Sequence, residues 1–145
     1  MDNGLTEEKL ESLRRCLWRL SQKRPDSLEK LLEDYDLQDI LSVNLERAVQ
    51  ICVDLAAHLI ADMDEQAPAT MAESFELLRQ RGVLSPTTAE RMKKAVGFRN
   101  IAVHTYQKID WQIVFNIVRN HLTDFEDFAR EIARPEISDA NGLGG

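Results

Sequence analysis

The chain has 145 residues, 43% hydrophobic and 30% charged, with 6 Gly and 4 Pro, a composition that fits one compact soluble domain and excludes a linker or a fibrous protein. Its 18 Lys and Arg against 25 Asp and Glu leave a net charge of −7, a field that repels phosphate backbones and anionic membranes and argues against a general nucleic-acid coat. Any nucleotide or RNA chemistry must therefore come from a local basic patch. The two cysteines, Cys16 and Cys52, are too few for a disulfide scaffold or a zinc cluster, and each falls on an apolar helical stripe, which points to a reducing, cytoplasmic setting. No stretch approaches the roughly 20 apolar residues of a membrane span, and Met1-Asp2-Asn3-Gly4 has neither the basic nor the apolar region of a signal peptide.

Apolar residues recur at spacings of three and four along every long segment, so the fold class read from the chain is all-α: a bundle of four to five helices with short loops. The first helix is expected to start after Thr6 as N-cap, to bury Leu10, Leu13, Leu17 and Leu20, and to stop before Pro25, with its other face charged. A short helical turn over 27–34 leads to Asp36, the expected cap of the longest helix. Its stripe from Leu37 through Leu45 and Cys52 to Ile60 spans roughly 40 Å at 1.5 Å per residue. Thr70-Met71-Ala72-Glu73 reads as a capping box opening a helix that ends at Gly82, and Ser85-Pro86 opens another with Ala89, Met92 and Val96 inward. The last helix begins near Asp110 and buries Trp111, Val114, Phe115, Val118, Leu122 and Phe125. The residues beyond Pro135 lack periodicity and apolar content, which predicts a helical domain over 1–134 and a disordered C-terminal tail over 135–145.

The acidic cluster Asp62, Asp64 and Glu65 lacks a metal-ligand spacing and reads as a solvated loop, as do Asp124, Glu126 and Asp127. His58 and His121 read as packed or surface histidines with no carboxylate at ligand spacing. There is no phosphate-binding loop, dinucleotide fingerprint, paired-cysteine motif or nucleophile elbow, so neither a cofactor nor a metal is called for. What remains is the run from Arg91 to Lys108, which holds Arg91, Lys93, Lys94, Arg99 and Lys108 and no carboxylate. Within it Arg99, Asn100, His104 and Tyr106 supply a guanidinium, an amide, an imidazole and a phenol, residue types suited to phosphodiester cleavage. Arg99 and His104 are five apart, about 140° and about 7.5 Å on a straight helix, so a helix ending near Val103 is needed for His104 to turn back toward Arg99. On residue types alone, a basic helix end with an incidental histidine explains the run as well as an active site does.

The order Arg99, Asn100, three apolar residues, His104, one residue, Tyr106 resembles the Arg-x4-His-x-Tyr motif of the HEPN superfamily, and specifically its HepT-like toxins. The resemblance extends over most of the chain, through Leu37-Gln38-Asp39-Ile40, Ser74-Phe75-Glu76-Leu77-Leu78, Gly82-Val83-Leu84 and Val96-Gly97-Phe98. It implies a metal-independent endoribonuclease with Arg99 and His104 catalytic, Asn100 supporting them, and Lys93, Lys94 and Lys108 available to RNA phosphates. It also implies a homodimer whose two copies share one cleft, and a partner: an MNT-type nucleotidyltransferase antitoxin that silences the toxin by transferring AMP to Tyr106. A second reading, from a different class, is a non-catalytic subunit that binds nucleotide or substrate for a minimal nucleotidyltransferase. Cleavage of RNA in excess chelator separates the two.

Overall fold

The computed structural model describes residues 3–104 and 109–133, with the side chains of residues 4–98 and 109–133. Among them are seven α-helices and no strand: α1 (Asn3–Gln22), α2 (Leu28–Glu33), α3 (Tyr35–Asp62), α4 (Met71–Gln80), α5 (Pro86–His104), α6 (Trp111–Asn120) and α7 (Leu122–Ala133). The all-α expectation holds, but the count exceeds four or five. The turn over 27–34 is a helix in its own right, and the expected last helix is two, broken at His121. The expected tail over 135–145 lies outside the described residues.

Side-chain oxygens set most of the helix starts. Ser27 accepts from the Lys30 N–H to open α2, and Thr70 Oγ1 accepts from the Glu73 N–H at 3.1 Å to open α4. The Glu73 carboxylate reaches back to the Ala69 N–H, one residue before the position a capping box uses. Ser85 Oγ accepts from the Thr88 N–H ahead of Pro86, and Asp110 Oδ1 accepts from the Gln112 N–H at the start of α6. Two expected starts move. α1 begins at Asn3 rather than after Thr6, since no residue between them forbids helical geometry. α3 is capped by Asp34, not Asp36: Asp34 holds extended backbone (φ −110°, ψ 96°) and accepts from the Leu37 N–H at 3.0 Å, while Asp36 falls in the first turn, where its charge suits the helix dipole. Asp34 also ends α2, its own N–H donating to Leu31 O. The Gln38 amide donates to the carbonyls of Leu31, which also accepts from Asp34, and Leu32, in the last turn of α2. Gly82, with φ 78°, ends the α4 region in a conformation that side chains rarely adopt.

α3 is the spine, roughly 42 Å long at 1.5 Å per residue. Its Leu41, Leu45, Ala48, Cys52 and Leu55 have no exposed surface, because α1 covers one side and α4 to α7 the other. α1 runs antiparallel to it, with Lys9 3.5 Å from Asp54 near one end. Arg24 donates to Val118 O and Arg119 to Pro25 O, joining the exit of α1 to the end of α6. Phe75 of α4 meets Phe128 of α7 edge to face, centroids 5.7 Å apart, at the middle of the core. No helix among the described residues is long and apolar enough to cross a membrane.

Polar ties hold the first half of α5. Glu131 of α7 accepts from the Ser85 N–H (2.8 Å) and the Thr88 hydroxyl (2.6 Å), Asp124 accepts from Arg91 (3.0 Å), and Glu76 of α4 accepts from Lys93 (2.6 Å) as well as from Arg79. Hydrogen bonds from Arg79 and then Lys93 push the Glu76 carboxyl down to about 2.

Two outcomes are expected. Phe128→Ala removes a fully buried ring and should cost about 3–5 kcal/mol in urea unfolding. A folded pKa below the unfolded value means that Glu76 stabilises the fold above pH 4.5 and that this contribution is lost as the pH falls to about 2. The melting temperature of Glu76→Gln should therefore fall less steeply over that interval than that of the parent chain.

Candidate active site

The motif singled out in the sequence sits at the C-terminal end of α5. Helical backbone continues through Arg99, Asn100 and His104, one residue past the expected end at Val103. Their side chains, and all of Tyr106 and Lys108, lie outside the described residues. Because the helix includes His104, positions 99 and 104 keep the separation of a regular helix, about 140° around the axis and about 7.5 Å along it. The backbone does not unwind before His104.

The surface leading to the motif is a pocket of about 610 Å³ between α5, α6 and α7. Ala95 and Phe98 form one wall, Ile109, Ile113 and Ile117 the other, and Phe125 the floor. Polar groups stand around it: Arg91 and Lys94 of α5, Asp110 and Asn116, and His121. Among the described residues no carboxylate lies within ion-pair distance of Lys94, so its charge is available at the mouth. Lys93 differs, because it is spent on Glu76 and has to leave that carboxylate before it can hold a phosphate.

The structure also shows an arrangement that the sequence reading missed. Asp124 is buried, with 8% of its surface exposed, and is held from two sides, by Arg91 at 3.0 Å and by His121 Nδ1 at 3.2 Å. His58 Nε2 lies 3.7 Å from Asp62. Both histidines therefore have a carboxylate neighbour, against the expectation that neither does. The signal was present as His–Asp pairs three and four residues apart, the spacings that face each other on a helix. Of the acidic loop, Glu65 is paired with Arg81, whose hydrogen bond lowers its pKa.

The chain matches the family model described as Ribonuclease HepT-like over residues 7–132. It is 36% identical over 126 residues to an mRNA nuclease HepT of Shewanella oneidensis, an alignment covering 87% of this chain and 94% of that protein. It is 27% identical over 128 residues to a tRNA nuclease HepT of Aphanizomenon flos-aquae, covering 88% and 87%. A solved structure of the tri-AMPylated Shewanella oneidensis HEPN toxin in complex with MNT antitoxin superposes with a TM-score of 0.83 at 35% identity, covering 90% of this chain and 97% of that one. With its helical core, its motif at the end of α5 and a family match spanning nearly all of its described residues, the chain belongs to the HepT-like ribonuclease family.

Proposed function

We propose that the chain is the toxin of a toxin–antitoxin pair, an endoribonuclease that cuts RNA without a metal ion and is silenced by AMP transfer to Tyr106. The observation that carries this is the unbroken Arg99, Asn100, His104, Tyr106 order at the end of α5, in a chain that aligns over 94% of a named nuclease. In the proposed reaction the 2′-oxygen of a ribose attacks the adjacent phosphorus and the bond from phosphorus to the 5′-oxygen breaks. The products are a 2′,3′-cyclic phosphate and a 5′-hydroxyl. His104 moves the protons as general base or acid, Arg99 neutralises charge developing on the phosphoryl oxygens, and Asn100 supports them by hydrogen bonding. Lys94 and Lys108 would hold flanking phosphates, with Lys93 joining them once it leaves Glu76.

The reaction needs a base for the nucleophile and an acid for the leaving oxygen, and the motif contains one histidine. Positions 99 and 104 diverge on a regular helix, so a two-fold homodimer, in which each copy contributes to one cleft, supplies both groups and the missing convergence. A nucleotidyltransferase antitoxin is the proposed partner, since similar solved structures pair a HEPN toxin with an MNT antitoxin. The Tyr106 oxygen would attack the α-phosphorus of ATP and release pyrophosphate. The AMP left behind would place charge and bulk two residues from His104, where the RNA phosphate must sit.

Purified chain should cut RNA in excess chelator, leaving cyclic phosphate ends, and His104→Ala should reduce that cleavage by two or more orders of magnitude in line with loss of a general acid–base; binding without cleavage by the parent chain would instead favour the non-catalytic subunit. Tyr106→Phe should still cut RNA and should remain active after incubation with antitoxin and ATP. Mass spectrometry finding AMP on another residue would refute the assignment.

A further inference from the structure

A second basic surface lies away from the motif, on the exposed face of α1. From Arg14 to Arg24 the chain carries five cations and no carboxylate, and in their midst Trp18 leaves 61% of its surface in solvent. An indole so exposed forfeits most of the burial free energy that normally fixes tryptophan in a core. It is not isolated. Trp18 and Arg14 form one wall of a groove of about 730 Å³ whose other wall is α7, with Arg130, Ala129 and Ala133. Arg15 and Arg19 continue the positive face beside Trp18, on the solvent side of the same helix.

A basic helix end is ordinarily explained by the helix dipole, which favours cations in the last turn. That covers Arg19 and Lys23, but Arg14 and Arg15 stand two turns from the end. Nor are these charges consumed by ion pairs. Among the described residues no carboxylate lies within 4.0 Å of Arg15, Arg19, Lys23 or Arg47; Arg14 has only an exposed 3.6 Å pair with Glu11, and Arg130 is paired with Asp127. Glu126, on the α7 wall, is the one acid lining the groove among the described residues. Arg24 is used elsewhere, on Val118 O. The field of Arg47, Arg15 and Arg19 reaches the buried Cys16 thiol, where it opposes the upward shift that burial imposes. A flat aromatic face beside the unpaired Arg15 and Arg19, with Arg14 and Arg130 in solvent-exposed pairs within their own helices that a phosphate can displace, on a chain of net charge −7, matches a single-stranded polynucleotide, which brings phosphates and stacking faces together in one ligand.

We propose that the α1–α7 groove is an anchoring site for single-stranded RNA, separate from the cleavage motif, where Trp18 stacks on a base and Arg14, Arg15, Arg19 and Arg130 hold neighbouring phosphates. The choice of RNA over other single strands rests on the ribonuclease reading; the stacking and phosphate chemistry does not. Glu131, beside Arg130 on α7, is bonded to Thr88 at the start of α5, whereas the motif ends the same helix at His104. Those two points are about 24 Å apart along the axis, roughly seven stacked nucleotides at 3.4 Å each. The groove lies on the other side of α7 from the first of those points, so RNA long enough to pass around α7 and along α5 can use both places, and the site favours long single strands without reading their sequence.

The test uses the full chain with Trp111→Phe, which leaves Trp18 as the one indole, and a twelve-nucleotide 2′-O-methyl RNA that lacks the attacking hydroxyl. Trp18 fluorescence should be quenched saturably, with affinity falling about 50-fold between 50 and 200 mM salt for four phosphate contacts and about 7-fold after Arg15→Gln with Arg19→Gln. In the otherwise native chain, Trp18→Ala should lower the ratio of kcat/KM on a twelve-nucleotide RNA to that on a dinucleotide on the order of ten-fold. Trp18 is solvent-exposed, and far-ultraviolet circular dichroism checks that each variant keeps its helices. Normal RNA cleavage with no Trp18 quench, or a quench whose salt dependence the two Gln changes leave alone, overturns the anchoring site and leaves the ribonuclease reading standing. A salt-dependent quench in a chain that cuts no unmodified RNA supports the site and overturns that reading.

Discussion

Everything about the candidate site depends on how α5 is held. Three carboxylates from two other helices fix its start and first eight residues: Glu131 at Ser85, just ahead of the helix, and at Thr88, Asp124 at Arg91, and Glu76 at Lys93. The two partly buried ion pairs among these, Arg91 with Asp124 and Lys93 with Glu76, lose solvation as they gain Coulomb attraction, so their main effect is to specify position. The motif therefore sits on a helix whose first half is set against α4 and α7. In the proposed homodimer each half must be rigid enough to meet its mate in register.

The acid excess of the chain then has a structural use. Several carboxylates that make the chain acidic are spent holding cations in place: hydrogen bonds from Arg79 and Lys93 bring the Glu76 carboxyl down to about 2, and one from Arg81 lowers that of Glu65. What the surface offers to a polyanion is consequently patchy: Lys94 at the mouth of the pocket by the motif, and the arginines of α1 at a distance. A ribonuclease with that distribution has weak affinity for nucleic acid in bulk and takes its substrate at particular places, with electrostatic repulsion elsewhere limiting unproductive binding.

Helix content and the buried stripes were legible because apolar spacing of three and four is a direct consequence of helical pitch, and Leu10, Leu13, Leu45, Met92 and Val118 are all buried as that spacing requires. The break at His121 was not, since the apolar stripe runs through it from Val118 to Leu122 and Phe125 and no Gly or Pro marks it. Choosing between Asp34 and Asp36 as a cap was equally beyond the sequence, because both have the right side chain and only backbone geometry separates them. At the site, residue types and order identified the motif through its resemblance to a known family. The pocket wall and the Arg91–Asp124–His121 cluster needed coordinates, because they join three helices whose relative rotation no local pattern encodes. Trp18 escaped notice for a related reason: the stripe defines what faces inward and says nothing of which outward residues share a groove with α7.

The dual role of Asp34 has a mechanical consequence. One residue closes α2 and opens α3, and Gln38 straps the carbonyls of Leu31 and Leu32 from the far side of the elbow. No free residue separates the two helices, and α2 also packs against α6, so the first turn of the long central helix is tied to that side of the bundle. A push on α2 therefore passes to the spine through a capped and strapped elbow, with no linker between them to take it up.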